Sequence, residues 1–172
     1  TSLLRRLELD AAEALLAGAV DRIPFFVSLS QYPADATALE QPMVWPEGLW
    51  QRRASGLPPL TALLDQGRLL LLADGLNELP HRDDNGYRDL LRGWKLFLQT
   101  EFAATGGNRA LFTCRSLDYS AGLSTAALPV QQVVVDAMDD EAMRAFLLRY
   151  DALGLTQDLL GPDLWDLLRR PL

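Results

Sequence analysis

The stretch Arg68-Leu-Leu-Leu-Leu-Ala-Asp74-Gly75 constrains the fold of this chain more than any other. Its apolar residues run without a break, so it shows neither the alternation of a half-exposed strand nor the stripe of a surface helix. Gly67 and Gly75 bound it, and a short apolar run punctuated in this way reads as a strand buried on both faces. Sheets covered on both faces are typically parallel, with helices packed on each side. Leucine is not a strong strand former, so length and flanking glycines carry the assignment rather than propensity.

The rest of the chain supplies the alternation of strands and helices that a parallel sheet needs. Leu3, Leu4, Leu7, Ala11, Ala14 and Leu15 recur at helical spacing, and Gly18 marks a fitting stop. Ile23 to Leu29 is short, apolar and aromatic-rich, a strand with Pro24 near its start. The proline-rich stretch from residue 31 to Pro58 reads as irregular, with a short helix around Trp50. Pro59 to Gln66 predicts a short helix ended by Gly67. Tyr87, Leu90, Leu91, Trp94, Phe97 and Leu98 form another helical stripe, closed by Gly106-Gly107. Arg109 to Cys114 and Val130 to Val135 read as two more strands. Met143, Phe146, Leu147 and Tyr150 share one face of a further helix, with Asp139, Asp140 and Glu141 at its positive end. A last helix runs from about Asp163 to Arg170. The expectation is an α/β core with a mainly parallel sheet over residues 1–137, followed by the start of a small helical domain over 138–172.

Composition narrows the function. The 172 residues suit one ordinary domain, and 16 Lys+Arg against 23 Asp+Glu give a net charge of −7. That balance argues against nonspecific binding to nucleic acid or to an anionic membrane. No apolar run approaches the ~20 residues of a membrane span, and no signal peptide opens the chain. One cysteine (Cys114) and one histidine (His81) exclude an internal disulfide and leave too few soft ligands for zinc. A cytoplasmic, reducing compartment is therefore expected. Thr1 already lies inside a helical pattern and Arg170-Pro171-Leu172 ends without a cap, so the chain reads as a segment of a longer protein.

In open parallel sheets, ligands bind beyond the carboxyl ends of the strands. One apolar run ends in Asp74, with Asn77 and Glu78 close behind; another is followed by Arg115, with Asp118 and Tyr119 after it. Carboxylates at one exit suit Mg²⁺, and a guanidinium at a neighbouring exit suits phosphate oxygens. Together they point to a nucleoside triphosphate site. A metal-holding acid followed closely by a second acid is the Walker B arrangement, in which the second carboxylate polarises the attacking water.

The segment from Leu69 to Pro80 resembles the Walker B motif of the NACHT family, a branch of the STAND signal-transduction NTPases. Asn108 to Arg115, continued by Ser-Leu-Asp-Tyr119, is similar to that family's sensor 1 strand and arginine. Arg22 to Leu29 is similar to the strand after its first helix, and Leu167 to Leu172 to the segment whose proline packs on adenine. The glycine-rich phosphate loop is absent, but Thr1 to Leu7 resembles the start of the helix that succeeds that loop's lysine. The resemblance implies a P-loop NTPase core of the ASCE type that starts just after the Walker A lysine. It further implies Thr1 and Asp74 as Mg²⁺ ligands, and Thr1, Ser2 and Pro171 as nucleotide contacts. Glu78 is implied as the catalytic acid and Arg115 as the sensor of the γ-phosphate. ATP (or GTP) with Mg²⁺ would drive a conformational switch, with self-oligomerisation on activation and effector and sensor domains elsewhere in the parent chain. Family members serve innate immunity or, in bacteria, defence.

Asn77 departs from the pattern, since many members carry Asp there. A carboxylate ~4 Å from a cation at an effective dielectric of ~20 interacts by about 4 kcal/mol, so its loss weakens the metal site. Blander readings stand beside these. Asp74 and Glu78 also suit a solvated strand end, and Arg115 a salt bridge to Asp118 or Asp136. His81 reads as a loop histidine, Cys114 as a small core residue, and Trp45, Trp50, Trp94 and Trp165 as packing. The Asp139-Asp140-Glu141 cluster reads as a helix cap. Two rivals remain: a nucleotide-binding scaffold without hydrolysis, and an α/β interaction domain without nucleotide. A serine hydrolase is disfavoured, because the chain has no G-x-S-x-G elbow.

Overall fold

The computed structural model describes residues 2–33, 42–115, 122–126 and 128–149. The chain divides into two compact units, Thr1–Gln131 and Gln132–Leu172. In the first, helix α1 (Ser2–Leu16) leads into strand β1 (Ile23–Ser28), and helices α2 (Val44–Arg53) and α3 (Leu60–Asp65) precede strand β2 (Leu69–Asp74). Helix α4 (Asp84–Phe97) then passes into a wider π turn (Leu98–Phe102) before strand β3 (Arg109–Phe112). Short 3₁₀ turns come after β1 at Leu29–Gln31 and after β2 at Leu76–Glu78.

The three strands form one parallel sheet in the order β1-β2-β3. Their side chains alternate between two faces, as a pleated strand requires. Phe25, Val27, Leu69, Leu71 and Ala73 join one continuous core with Trp50 of α2, Leu60 and Leu63 of α3, and Leu91, Trp94 and Phe97 of α4. On the other face Phe26 and Leu72 pack against Leu4 of α1, and the Arg5 guanidinium lies 3.6 Å above the Phe26 ring. The leucine run is therefore buried on both sides, the environment expected from its unbroken hydrophobicity.

Helix α1 covers that second face only in part. Leu4 is fully buried, but Leu3 and Leu7 on the same expected stripe are 61% and 38% exposed. The helix lies over β1 and β2 rather than across the whole sheet, and Leu111 of β3 stays 42% exposed. In the thicker core Trp94 is the largest fully buried side chain, with ring contacts to Phe97 and Phe112 at centroid distances of 6.0 and 5.5 Å. Its indole Nε1 has no hydrogen-bond partner.

The helix ends are satisfied by side chains from distant positions as well as near ones. Pro59, preceding α3, has no side-chain acceptor, and the Glu47 carboxylate accepts from the backbone N–H groups of Leu60 (3.3 Å) and Thr61 (2.9 Å) instead. Asp83 caps α4 by accepting from the N–H of Gly86 at 2.8 Å.

At the amino end of the sheet the loops before β2 and β3 touch backbone to backbone. Gly67 and Gly107 both have positive φ, and a Cβ on Gly107 would sit 2.7 Å from the Gly67 carbonyl oxygen. Buried Asn108 closes the same end. Its Oδ1 accepts from the Leu69 N–H at 3.0 Å, and its Nδ2 donates to the carbonyls of Leu64 (2.8 Å) and Thr105 (3.4 Å).

In the second unit, helix α5 spans Asp140–Arg149, and Met143 and Leu147 pack with Met138. Asp139 caps it, its carboxylate accepting from the Ala142 N–H at 2.7 Å. Phe146, expected on the buried stripe, is 45% exposed. Tyr150 and the helix expected from about Asp163 lie outside the described residues.

Two expectations are corrected. Val130–Val135 forms no strand: Val133, Val134 and Val135 are 88%, 70% and 55% exposed. β-branched residues make a strand only where a sheet edge accepts them, and the Val130 N–H donates instead to the Ser124 hydroxyl at 3.1 Å. The strand expected over Arg109–Cys114 ends at Phe112. Thr113 keeps one bond to β2, from its N–H to the Ala73 carbonyl, while its carbonyl and hydroxyl accept from the Leu76 and Gly75 N–H groups of the turn after β2.

Candidate functional site

Parallel pairing aligns the carboxyl ends of all three strands. Ser28 stands opposite Asp74, and Ala73 opposite Phe112. The residues beyond the ends of β2 and β3 therefore emerge side by side, and these are the two exits that carry the acids and the arginine.

Asp74 closes β2 and is buried. A carboxylate in that position needs hydrogen bonds to replace lost water. The Thr113 hydroxyl donates one to Asp74 Oδ1 at 2.7 Å. The same hydroxyl accepts from the Gly75 N–H at 2.9 Å. The Thr113 N–H donates to the Ala73 carbonyl at 3.0 Å, and the Leu76 N–H donates to the Thr113 carbonyl at 2.7 Å. One residue beyond β3 thus holds four consecutive residues at the exit of β2.

After Asp74 the chain turns sharply. Gly75 has φ +77°, a conformation open to glycine at little cost. The ensuing 3₁₀ turn folds Glu78 back over Gly75, since a Cβ on Gly75 would lie 2.9 Å from Glu78 Oε2. The Glu78 N–H donates to the Gly75 carbonyl at 2.8 Å, which closes the turn.

Arg115 meets this turn from β3. Its backbone N–H donates to Asn77 Oδ1 at 3.2 Å, and its Nη2 lies 4.0 Å from Glu78 Oε1. Both side chains of that pair are well exposed, at 76% for Arg115 and 44% for Glu78. An exposed pair at this separation holds the fold only weakly. The guanidinium and the carboxylate therefore face solvent beside a buried acid.

Asp74, Glu78 and Arg115 are thus brought together at one end of the sheet. Ser2 opens α1 and is exposed. Because α1 leads into the amino end of β1 and packs back along β1 and β2, its start lies toward the carboxyl ends of the strands. Thr1 and Pro171 lie outside the described residues, as do Asp118 and Tyr119. His81 sits in the loop before α4, its Nδ1 2.6 Å from the Leu79 carbonyl oxygen and its ring 5.0 Å from that of Tyr87. Cys114 is half-buried against the main core.

The residue that sequence reasoning missed is Thr113. It was hidden inside an expected strand, where a β-branched residue needs no other explanation. Its position one residue past the last apolar strand position, paired with Asp74 in an aligned parallel register, is the signal that could have found it. Asn77 also has a job that its type alone did not reveal, as the acceptor that fixes the Arg115 backbone.

Among the described residues no three or more His, Cys, Asp or Glu side chains gather into a metal-holding group. The site offers one buried carboxylate with a second acid on the adjoining turn. Such a donor set suits a hard cation that keeps most of its water or takes its other ligands from a phosphate. No helix among the described residues is long and apolar enough to cross a membrane. Comparison of the chain with family models, with curated proteins and with solved structures finds no match.

Proposed function

We propose that this chain belongs to a signal-transduction NTPase of the NACHT type, which binds and slowly hydrolyses ATP (or GTP) with Mg²⁺ as a conformational and oligomerisation switch. The observation that carries this reading is the meeting of a buried Asp74 with Glu78 and Arg115 at aligned strand ends. An acid and a guanidinium at neighbouring strand exits match the opposite charges of a metal and a triphosphate. The resemblance at residues 68–80 and 108–119 adds the family.

In this reading Asp74, with the Thr1 hydroxyl, would hold Mg²⁺, which neutralises phosphate charge when bound. Arg115 binds the terminal phosphate through its planar fork of N–H donors. Glu78 accepts a hydrogen bond from the attacking water and takes up its proton. The Arg115–Glu78 contact at 4.0 Å sets two of these groups in competition, because a phosphate on the guanidinium draws it off the carboxylate. Ser2, at the positive end of α1, contributes its backbone N–H toward the phosphates. The nucleotide state is passed to effector and sensor domains of the longer chain.

The alternative within the same class is a scaffold that binds nucleotide without hydrolysing it. Thermal melting of the full-length protein with and without Mg²⁺–ATP tests the reading. A nucleotide-dependent rise in Tm that Asp74→Ala abolishes is the expected result. A rise that persists unchanged in Asp74→Ala, or no rise in the wild type, refutes it.

A further inference from the structure

We infer that Thr113 is the positioning residue of this site, aiming the Asp74 carboxylate and fixing the turn that carries Glu78. The inference rests on the nucleotide reading and assigns its metal dependence to a side chain that neither bears charge nor touches substrate.

A threonine hydroxyl has one proton to give and two lone pairs. Here the proton goes to Asp74 Oδ1 at 2.7 Å, and one lone pair takes the Gly75 N–H at 2.9 Å. Both commitments involve the same exit, so the hydroxyl cannot turn without losing one of them. Branching at Cβ restricts χ1 further. The backbone of Thr113 is itself tied to Ala73 and Leu76 at 3.0 and 2.7 Å, which gives the side chain a fixed base. The hydroxyl therefore sets the plane of the Asp74 carboxylate and, through the Gly75 amide, the start of the turn that brings Glu78 back.

The consequence concerns the cation. Partners that orient a ligating carboxylate typically change metal affinity by 10–100-fold when removed, without touching the metal. A residue that merely stapled β3 to β2 would change stability and leave metal dependence alone. The Thr113 backbone bonds already provide the staple, so the side chain is available for the second task.

The test uses the full-length protein, a fluorescent ATP analogue and a MgCl₂ titration. Thr113→Val keeps the shape and loses the hydroxyl, and Thr113→Ala loses both. Each should raise the Mg²⁺ concentration for half-maximal binding by about 10–100-fold, while binding measured in EDTA stays at the wild-type level. Thr113→Ser restores the hydroxyl and should return the Mg²⁺ requirement to within about threefold of wild type, the remaining gap reflecting the lost χ1 restriction. An unchanged Mg²⁺ requirement in Thr113→Val, or a shift in Thr113→Ser as large as in Thr113→Val, overturns the inference and leaves the nucleotide reading intact. Failure of both Thr113→Val and Thr113→Ala to fold overturns it too, since the hydroxyl is then a structural staple. A wild-type protein that binds no nucleotide with Mg²⁺ present removes the reading and the inference together.

Discussion

The two ends of the sheet use their polar side chains in opposite ways. At the amino end, buried Asn108 gives its hydrogen bonds to backbone groups of neighbouring segments, and Arg22 and Arg68 donate to the carbonyls of Gly107 and Asp21. Two glycines there let main chains meet directly. At the carboxyl end, Glu78 and Arg115 keep their charges in solvent and share one loose contact. Asp74 is drawn inward, where the Thr113 hydroxyl receives it. The difference teaches that one end holds the strands in register while the other presents charge, and that Thr113 belongs to both tasks.

The largest effect should appear at the presenting end. Glu78→Gln in the full-length protein should lower nucleotide hydrolysis by about 10²–10⁴-fold, the usual worth of a positioned general base, while binding persists. Steady-state turnover measures it, and an unchanged rate would remove Glu78 from the chemistry. Next comes the amino end. Gly67→Ala places a methyl group into the Gly106 carbonyl at φ +69° and should destabilise the fold by about 3–4 kcal/mol from strain and overpacking combined. Asn108→Ala leaves the Leu69 N–H unpaired and strips one donor from the Leu64 carbonyl, which keeps the Gly67 N–H, and should cost about 1–3 kcal/mol, the usual worth of one buried unsatisfied group. Urea unfolding resolves both. If either proves neutral, the amino end is not a clamp on strand register. The smallest effect belongs to Arg115→Ala, which should leave stability within about 0.5 kcal/mol of wild type. A loss well beyond that would show that the exposed charges of the carboxyl end also hold the fold, and the contrast would fail.

The legible part of this fold was the part whose physics is local. The unbroken leucines announced a strand buried on two faces, and Gly67 and Gly107 announced the turns before strands. Asp74, Glu78 and Arg115 were legible as strand-exit residues, because parallel strands put their exits at one end. The hidden features depended on partners far along the chain. Val133 to Val135 have strand composition but no sheet edge that takes them among the described residues. Leu3 and Leu7 have the periodicity of a buried stripe, yet α1 sits where only Leu4 reaches the core. Glu47 gave no sign of capping a helix that begins thirteen positions later, since caps are ordinarily read from the adjoining residues. Thr113 was concealed for the same reason: its hydroxyl answers to Asp74, 39 positions away.

Trp94 gives these ideas an optical handle. Its indole is fully buried, lacks a hydrogen-bond partner, and stands edge-on to Phe112, the residue next to Thr113. Light absorbed by Trp94 is therefore re-emitted from a dry, aromatic surrounding, at the blue end of the tryptophan range. With Trp45, Trp50 and Trp165 replaced by phenylalanine, the colour of that emission becomes a gauge of whether the last residue of β3 keeps its place as the neighbouring exit is filled.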